Sequence, residues 1–514
     1  MAIRAKLTSQ FTTPQRDWPY HALESTVVSA SVFMAGERRM EAETYLATGY
    51  GLRQAIESQH GWTRFGSIAN VRQPSRLKGI QLPPIHGVPY LAATQVFDVR
   101  PIPRKWLSPD RTKNLDGLLV QRGTILVTRS GSVGRATLAF QPHLNVLISD
   151  DLLRVEPHDP KWFGWIYAYL RAVKTRAMMT SAKYGHIIKH LETGHLEAVP
   201  IPILRDRLLE EFNPRVQEIL KLRDEAHAST LQAESHFAGW MGDFEIADIG
   251  ENGFESRSAE FCSRNRRLDA QRHNPVAKAI SEHLRYHAKA INPLAQCGFS
   301  VWVPGRYKRV PARDGVAFVD SGELFEINPD MDKRYADCQF GDRRYRGRVQ
   351  PGWLLMASSG QTYGQVGGVV MASEAHVGKV LANHIIRIVA NDSATARPGY
   401  VLTALSHPTF GRPRIKSLAF GSSVPEISPD DIAMLDLPRL DANDENGIAD
   451  LAEQSATLRG KADILENDLA TDAEAIIDRF IAGDTNMTLP AVSENRVPNH
   501  ATPGGWRDLT SQPN

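Results

Sequence analysis

The sequence lacks any apolar run long enough to cross a bilayer, since no window reaches about 18 uninterrupted apolar residues. Its opening residues, MAIRAKLTSQ, hold no hydrophobic core of a secretory signal, so export is not expected. Cysteine is scarce: Cys262, Cys297 and Cys338 are an odd number without CxxC spacing, which excludes a disulfide framework and a zinc ribbon. A cytoplasmic protein is expected. Net charge is also small, 60 Lys and Arg against 58 Asp and Glu, so global charge does not announce a polyanion partner.

Catalytic signatures are missing too. There is no GxxxxGK[ST] for a nucleotide phosphate, no Asn/Asp-Pro-Pro-aromatic tetrapeptide or FxGxG loop for a methyl donor, and no GxSxG nucleophile turn. The turn RSGSVG at 129–134 has two glycines, but strand-like RATLAF follows it instead of a helix, which speaks against a dinucleotide site. His186 and His190 stand four apart with His195 beyond, yet no cysteine completes a metal set, so no metal is expected. Asp150 and Asp151 could form a carboxylate pair, but the matching positions later in the chain are Asn383 and His384. The chain reads as a binder with no catalytic residue of its own.

What is present is a repeat. GTILVTRSGSVGR at 123–135 is answered by GWLLMASSGQTYGQ at 352–365, with Gly123 on Gly352, Ser130 on Ser359 and Gly131 on Gly360; one inserted residue then puts Gly134 on Gly364. In the same order, RMEA at 39–42 matches RLDA at 267–270, and SDDLLRV at 149–155 matches ANHIIRI at 382–388. GHIIKHLETGHLEAVPIP at 185–202 matches GSSVPEISPDDIAMLDLP at 421–438. A period of roughly 230 residues is too long for a solenoid and predicts two domains of one fold. The 514 residues, 42% apolar, suffice for a core in each.

Within each repeat the short strands, broken by Gly and Pro, predict a mixed α+β domain that is largely antiparallel. A helix is expected over 37–59. Another is expected over 162–179 with Trp165, Tyr169 and Val173 on one face. After each repeat the period changes. Leu209, Phe212, Val216, Ile219, Ala226, Ala233 and Phe237 follow a 3-4 spacing with Arg223 and Thr230 as polar interruptions, and Pro214 is expected to delay the regular helix. Ile448, Leu451, Ser455, Leu458, Ala462, Leu465 and Leu469 do the same. A narrow stripe needs a partner, so the two helices are expected to pair antiparallel. The division that follows is an arm at 1–36, domains at 37–204 and 241–440, helices at 205–240 and 441–482, and a tail at 483–514.

In this order the motifs resemble the specificity subunit of type I restriction–modification systems. The resemblance covers nearly the whole chain: R(M/L)(E/D)A, the strand with its Ser-Gly turn, the (D/N)xx(L/I)R strand, the G…L…IP close and a long helix, all said twice. It departs from the family where the domain meets the helix, with PILRDR at 202–207 and PRLDAN at 438–443 in place of a Pro-Pro-Leu-x-Glu-Gln run. The resemblance implies two target-recognition domains, each reading half of a bipartite double-stranded DNA site, with an antiparallel coiled coil setting the gap. It implies a subunit that is not an enzyme and binds no cofactor. It would position two adenine methyltransferase subunits that use S-adenosylmethionine and, in a full complex, motor-nuclease subunits that use ATP. On the residues alone two other classes stay open: the specificity module of a divergent phage-defence complex, and a protein-binding scaffold without DNA readout.

Reading B-DNA needs side chains that reach base edges and cations that clamp phosphates. The first turn offers Arg129, Ser130, Ser132 and Arg135, and the AKYGH stretch offers Lys183, Tyr184 and His186, with Lys78, Arg104 and Lys105 for phosphates. The second turn offers Ser359, Gln361, Tyr363 and Gln365. Arg306, Tyr307, Lys308, Arg309, Arg343, Arg344, Arg346, Arg412, Arg414 and Lys416 add charge and stacking surface. Apolar positions and glycines agree between the copies while the polar residues differ, which predicts an asymmetric target.

Overall fold

Alternate residues of one four-residue strand, Leu354–Ala357, enter two separate cores, and this sets the layering of its half of the chain. Leu354 and Met356 pack with Phe237, Tyr400 and Ile448, whereas Leu355 and Ala357 pack with Phe318, Val319 and Leu381. Side chains on a strand point to opposite faces in turn, so a strand apolar throughout must be covered on both sides. The computed structural model describes residue 45 and residues 47–76, 79–112, 115–181, 190–245, 253–261, 267–305, 308–327, 335–339, 349–361, 364–484 and 487–489. For 260, 261, 308–316 and 335–339 it describes the backbone alone.

The chain divides into two units. Unit 1 holds Met1–Val96, Pro101–Glu218 and Glu466–Ala491; unit 2 holds Phe97–Arg100, Ile219–Leu465 and Val492–Asn514. In unit 1 a four-stranded antiparallel sheet runs in the order β2 (Ala69–Arg72), β8 (Leu152–Pro157), β5 (Ile125–Thr128), β6 (Ala136–Leu138). A smaller sheet orders β4 (Lys105–Leu107), β3 (Val88–Leu91) and β7 (Leu147–Ile148), with β3 antiparallel to β4 and parallel to β7. A third pairs β1 (Trp62–Arg64) with β9 (Pro200–Pro202).

Unit 2 repeats all three. Its large sheet orders β11 (Phe299–Trp302), β17 (Ile385–Ala390), β14 (Leu354–Ala357) and β15 (Val369–Met371). Its smaller sheet orders β13 (Tyr335–Gln339), β12 (Lys308–Val319) and β16 (Val380–Leu381), again with one antiparallel and one parallel pair. Its third pairs β10 (Ala290–Pro293) with β18 (Asp436–Arg439). The two units therefore share one α+β fold, as the repeat predicts.

The agreement extends to single atoms. Arg154 and Arg387 are both 0% exposed. Arg154 donates from Nη2 to the carbonyl of Ile148 at 2.7 Å and from Nη1 to those of Ser149, at 2.8 Å, and Leu152. Arg387 donates to the corresponding carbonyls of Leu381, Ala382 and Ile385. A buried cation is costly unless acceptors meet its donors, and here the turn entering β8 or β17 supplies three carbonyls to the Nη atoms. Burial, together with the nearby Arg72 cation, pulls the Arg154 guanidinium down to about 10. His143 and His376 likewise hold one turn each, their Nδ1 atoms accepting from the amides of Phe140 and Ser373 at 3.2 Å.

Helices cover the large sheets, and here two expectations change. The helix over 162–179 is two, α2 (Phe163–Arg171) and α3 (Val173–Ser181), because Ala172 turns extended at ψ 138°. Trp165 and Tyr169 are buried, but the break swings Val173 out to 53% exposure. In the expected N-terminal helix, α1 (Thr48–Glu57) is described, and 37–44 lie outside the described residues, as do the arm at 1–36 and most of the tail.

The two long helices are α5 (Asp206–Met241) and α10 (Ala442–Ile481); α4 (Thr193–Glu197) of unit 1 precedes the first, and between the two in the chain come α6 (Pro275–His287), α7 (Pro398–Ser406), α8 (Arg412–Ser417) and α9 (Pro429–Ala433) of unit 2. In unit 1 Arg215 pairs with Asp472 at 2.7 Å; in unit 2 Arg223 pairs with Asp463 at 2.6 Å and Thr230 meets Ser455 at 2.7 Å. Numbers rising on α5 meet numbers falling on α10, so the pairing is antiparallel. All seven stripe positions of α5 are buried. On α10, Ile448, Ser455, Ala462 and Leu469 are buried, but Leu451, Leu458 and Leu465 are only half-buried. Ala449, Ala452, Ala456 and Ala473 are buried in their place. Pro214 lies inside the continuous α5, so it does not delay the helix.

Each domain docks on the helix that follows it through a glycine near the start of α2 or α7. A Cβ on Gly164 would lie 2.5 Å from the backbone of Phe212 and Asn213, and one on Gly399 2.4 Å from the carbonyl of Ala449. Gly164→Ala is therefore expected to cost about 2 kcal/mol or more in unfolding free energy, read from urea unfolding; an unchanged midpoint would contradict the close approach. A second expectation concerns His376, which burial pulls down to about 4. The unfolded histidine takes its proton near pH 6.5. Between about 6.5 and 4 the unfolded chain thus binds more protons, and stability falls as pH falls, by up to about 3 kcal/mol for this one group. His407, also pulled down to about 4 by burial, adds to the fall. Urea midpoints across that window should drop, and His376→Gln should make the drop shallower; a level wild-type profile would overturn this.

Candidate nucleic-acid interface

In both units the turn that follows β5 or β14 is held to its neighbours by the same backbone bonds. The amide of Arg129 donates to Asp151 at 3.0 Å and that of Leu191 to Arg129 at 2.9 Å; in unit 2 Ser358 donates to His384 at 3.0 Å and Ile427 to Ser358 at 2.7 Å. The scaffold thus brings three chain segments together at one place in each unit, and the side chains there are what differ.

The hairpin bonds also correct the alignment. Thr128 pairs with Arg135, and Gly134 donates to Thr128; in unit 2 Ala357 pairs with Gly368, and Gly367 donates to Ala357. Gly134 therefore corresponds to Gly367, not Gly364, and both need positive φ, 75° and 71°. Four residues, not one, are inserted in the second turn, and the residue matching Arg135 is Gly368.

In unit 1 Ser130 is half-buried and Ser132 exposed on this turn. Arg129 is engaged: its Nη2 meets Glu192 at 2.5 Å and its Nη1 lies 3.8 Å from Asp151. Thr128, rather than Ser130, ties the turn, its hydroxyl donating to Ser132 and accepting from the Arg135 amide at 2.9 Å. Arg135, expected at the interface, is only 8% exposed. The hairpin closes at Thr128 and Arg135, which makes Arg135 the first residue leading into β6, a strand buried at every position. It belongs to the frame. Arg104 and Lys105 are exposed, Lys105 on β4 opposite Tyr90. His195 accepts from the Glu192 amide at 3.2 Å and caps a short helix. Among the described residues no cluster of His, Cys, Asp and Glu could hold a metal ion.

In unit 2 the turn stands against a hairpin that the sequence pattern did not single out. Phe420 and Glu426 exchange backbone bonds at 2.8 and 2.7 Å, closing the loop 421–425. The Gly360 amide donates to Pro425 at 3.1 Å, and Gln361 Nε2 to the Ser423 carbonyl at 3.4 Å. The two loops form one head, with Gln361, Ser422, Ser423 and Val424 exposed and Ser359 half-buried. Its base is clamped by Arg267 of the RLDA motif. That guanidinium donates to the carbonyls of Leu418 and Ala419 at 2.7 Å, is steadied by Asp269 at 2.8 Å, and lies 5.4 Å from the Phe420 ring. The partner guanidinium in turn holds the Asp269 carboxyl below its ordinary range. The motif's repetition in the sequence was the signal that could have pointed to this hairpin.

Other expected contacts go elsewhere. Gln365 donates to Asp98 at 2.8 Å, and Gln365 and Arg412 line an internal cavity of about 70 Å³ with Arg100 and Glu234. Arg100 and Glu234 form an ion pair there, and burial pushes the Glu234 carboxyl up to about 7 against the pull of that cation. Arg414 is buried on α8, donating to the Asp436 carbonyl at 2.6 Å, and burial lowers its pKa to about 10. It is a structural residue because α8 packs its face inward. Lys416 is half-buried, and its carbonyl accepts from Gln271 at 3.0 Å. Lys308 and Arg309 lie on β12. Lys78, Lys183, Tyr184, His186, Arg306, Tyr307, Arg343, Arg344, Arg346 and Tyr363 lie outside the described residues.

Removing the clamp tests this geometry. Arg267→Ala is expected to raise amide exchange at Phe420 and Glu426 about tenfold or more while leaving Leu354–Ala357 protected. Unchanged exchange in the hairpin would contradict the clamp.

No protein-family model matches the chain, and no curated protein sequence does. Among solved structures, the chain is similar to the type I restriction–modification S subunit from M. genitalium, at 12% identity and a TM-score of 0.33, covering 83% of this chain and 97% of that one. It is also similar to the HsdS subunit from Thermoanaerobacter tengcongensis, at 12% identity and TM-score 0.25, covering 82% of this chain and 96% of that one. A third similar chain comes from a structure of a type I R-M system concerned with complex assembly and conformational transition, at 12% identity and TM-score 0.25, covering 83% and 98%.

Proposed function

We propose that this chain is the DNA-specificity subunit of a type I restriction–modification system. Each unit reads one half of an asymmetric bipartite site in double-stranded DNA, and the chain positions adenine methyltransferase subunits. Catalysis and its cofactors, S-adenosylmethionine and, with motor-nuclease subunits, ATP, belong to the partners.

The observation that carries the reading is the contrast between frame and head. Sheet order, the buried arginines and the docking glycines agree between the units. The turns do not: among the described residues unit 1 presents Ser130, Ser132 and an arginine already paired with Glu192, while unit 2 presents Gln361 tied to the Ser423 carbonyl. Two like frames with unlike polar tips suit one task done on two different sequences, as base-edge recognition requires. Arg104 and Lys105, exposed in unit 1, suit phosphates, which fix register without reading sequence.

Footprinting with the partner methyltransferase should show two separated protected patches, and affinity should fall with salt at a log–log slope of about 0.9 per phosphate contact. Replacing Arg104 and Lys105 together by alanine should reduce that slope by about 2 at most and leave the selected sequence unchanged. Binding indifferent to salt, or no protected DNA with partners present, would count against the reading.

A further inference from the structure

We propose that the head of unit 2 reads an A·T base pair in the major groove, Gln361 bonding the adenine edge and Val424 lying against the thymine methyl group. The assignment rests on the DNA-reading role proposed above and names the base pair for one of its two heads.

Three observations lead to it. First, Gln361 is exposed but not loose: its Nε2 is tied to the Ser423 carbonyl at 3.4 Å. That bond uses one amide hydrogen and leaves the second, with the Oε1 acceptor, for a ligand. A glutamine amide so disposed matches adenine, whose N7 accepts and whose N6 donates. Second, Val424 is 55% exposed, next in sequence to the residue that holds Gln361. An apolar side chain kept in water at the tip of a closed loop has nothing to gain from the fold, whereas a thymine methyl offers it a partner. The adenine edge and the thymine methyl are displayed side by side by a single base pair, as the amide and the valine are by a single head. Third, the exposed tip carries no cation: Gln361 and residues 421–425 include no Lys or Arg. Guanine, commonly read by Arg or Lys, is the poorer match. Glu426 is also exposed and closes the hairpin through its backbone; its carboxylate, an acceptor alone, cannot donate to N7 of either purine.

The head is rigid enough to discriminate. Its loop is closed by the Phe420–Glu426 pair, pinned to the turn by the Gly360–Pro425 bond and clamped beneath by Arg267. The turn of unit 1, four residues shorter, carries Ser130 and Ser132 and no glutamine, so the assignment concerns one half-site alone.

The test selects bound duplexes from a randomised library with the full chain in complex with its partner methyltransferase, then measures affinity for the selected site by anisotropy. In the half-site that depends on unit 2, Gln361→Ala should lower the preference for one A·T pair about tenfold or more. Replacing its thymine by deoxyuridine, which removes only the methyl group, should weaken wild-type binding roughly three- to fourfold. The same replacement should cost Val424→Ala almost nothing. If both variants keep the wild-type preference at every A·T pair, or if deoxyuridine weakens the valine variant as much as wild type, the assignment fails while the DNA-reading role stands. A wild-type chain that selects no sequence defeats that role, and the assignment with it. Circular dichroism and the exchange pattern of Leu354–Ala357 confirm that each variant is folded.

Discussion

A guanidinium sealed from water has to find acceptors for its donors, and in this protein that demand shapes the region beside each head. Arg154 and Arg387 sit on the central strand of each large sheet and collect three backbone carbonyls from the turn that enters it. The turn cannot open without stranding a buried charge, which costs several kcal/mol, a large share of the roughly 5–15 kcal/mol by which domains are stable. The same turn carries Asp151 or His384, whose carbonyl anchors the head. Rigidity at the buried arginine is thereby passed to the exposed tip, one hydrogen bond away.

This arrangement separates what must be constant from what can vary. The strands below the head are buried on both faces and tolerate little change, while the tip residues face solvent and are constrained mainly by backbone bonds. A recognition protein benefits from that division, because binding groups held by a firm frame lose less freedom on binding. The long helices follow the same logic in a different form. Polar contacts interrupt the apolar seam where Arg215 meets Asp472, Arg223 meets Asp463 and Thr230 meets Ser455. Sliding one helix by a turn would leave those groups buried without partners, so the polar contacts fix the register that an alanine-rich seam alone would leave loosely defined.

Much of the frame was legible because it rests on periodicity and order. The doubled motifs named two like domains, and the 3-4 stripe of α5 named its buried face at every position. The stripe of α10 was only half legible: pattern reading favoured Leu451, Leu458 and Leu465, whereas close helix packing prefers the alanines beside them. The heads were least legible, since a polar residue at a turn looks the same whether it faces water or the interior. Arg135 and Arg414 suit contacts by pattern but lie buried in the frame, and Arg129 is paired within its own unit. Hydrogen bonds between distant segments decided these cases, including the four-residue insertion that moves the partner of Gly134 to Gly367, and sequence spacing does not carry that information. Conversely the RLDA motif was seen as a repeat, but its work, clamping a hairpin some 150 residues away, shows only in three dimensions.

The central claim is that one frame, used twice, presents two different readers to DNA on behalf of a methylating partner. Its most direct measurement is a map of methylated adenines in the genomes of cells with and without this chain. The account predicts that methylation dependent on the chain falls on one motif made of two unlike halves separated by unread positions. A methylation pattern that does not change when the chain is removed, or a motif that is continuous or palindromic, would contradict it.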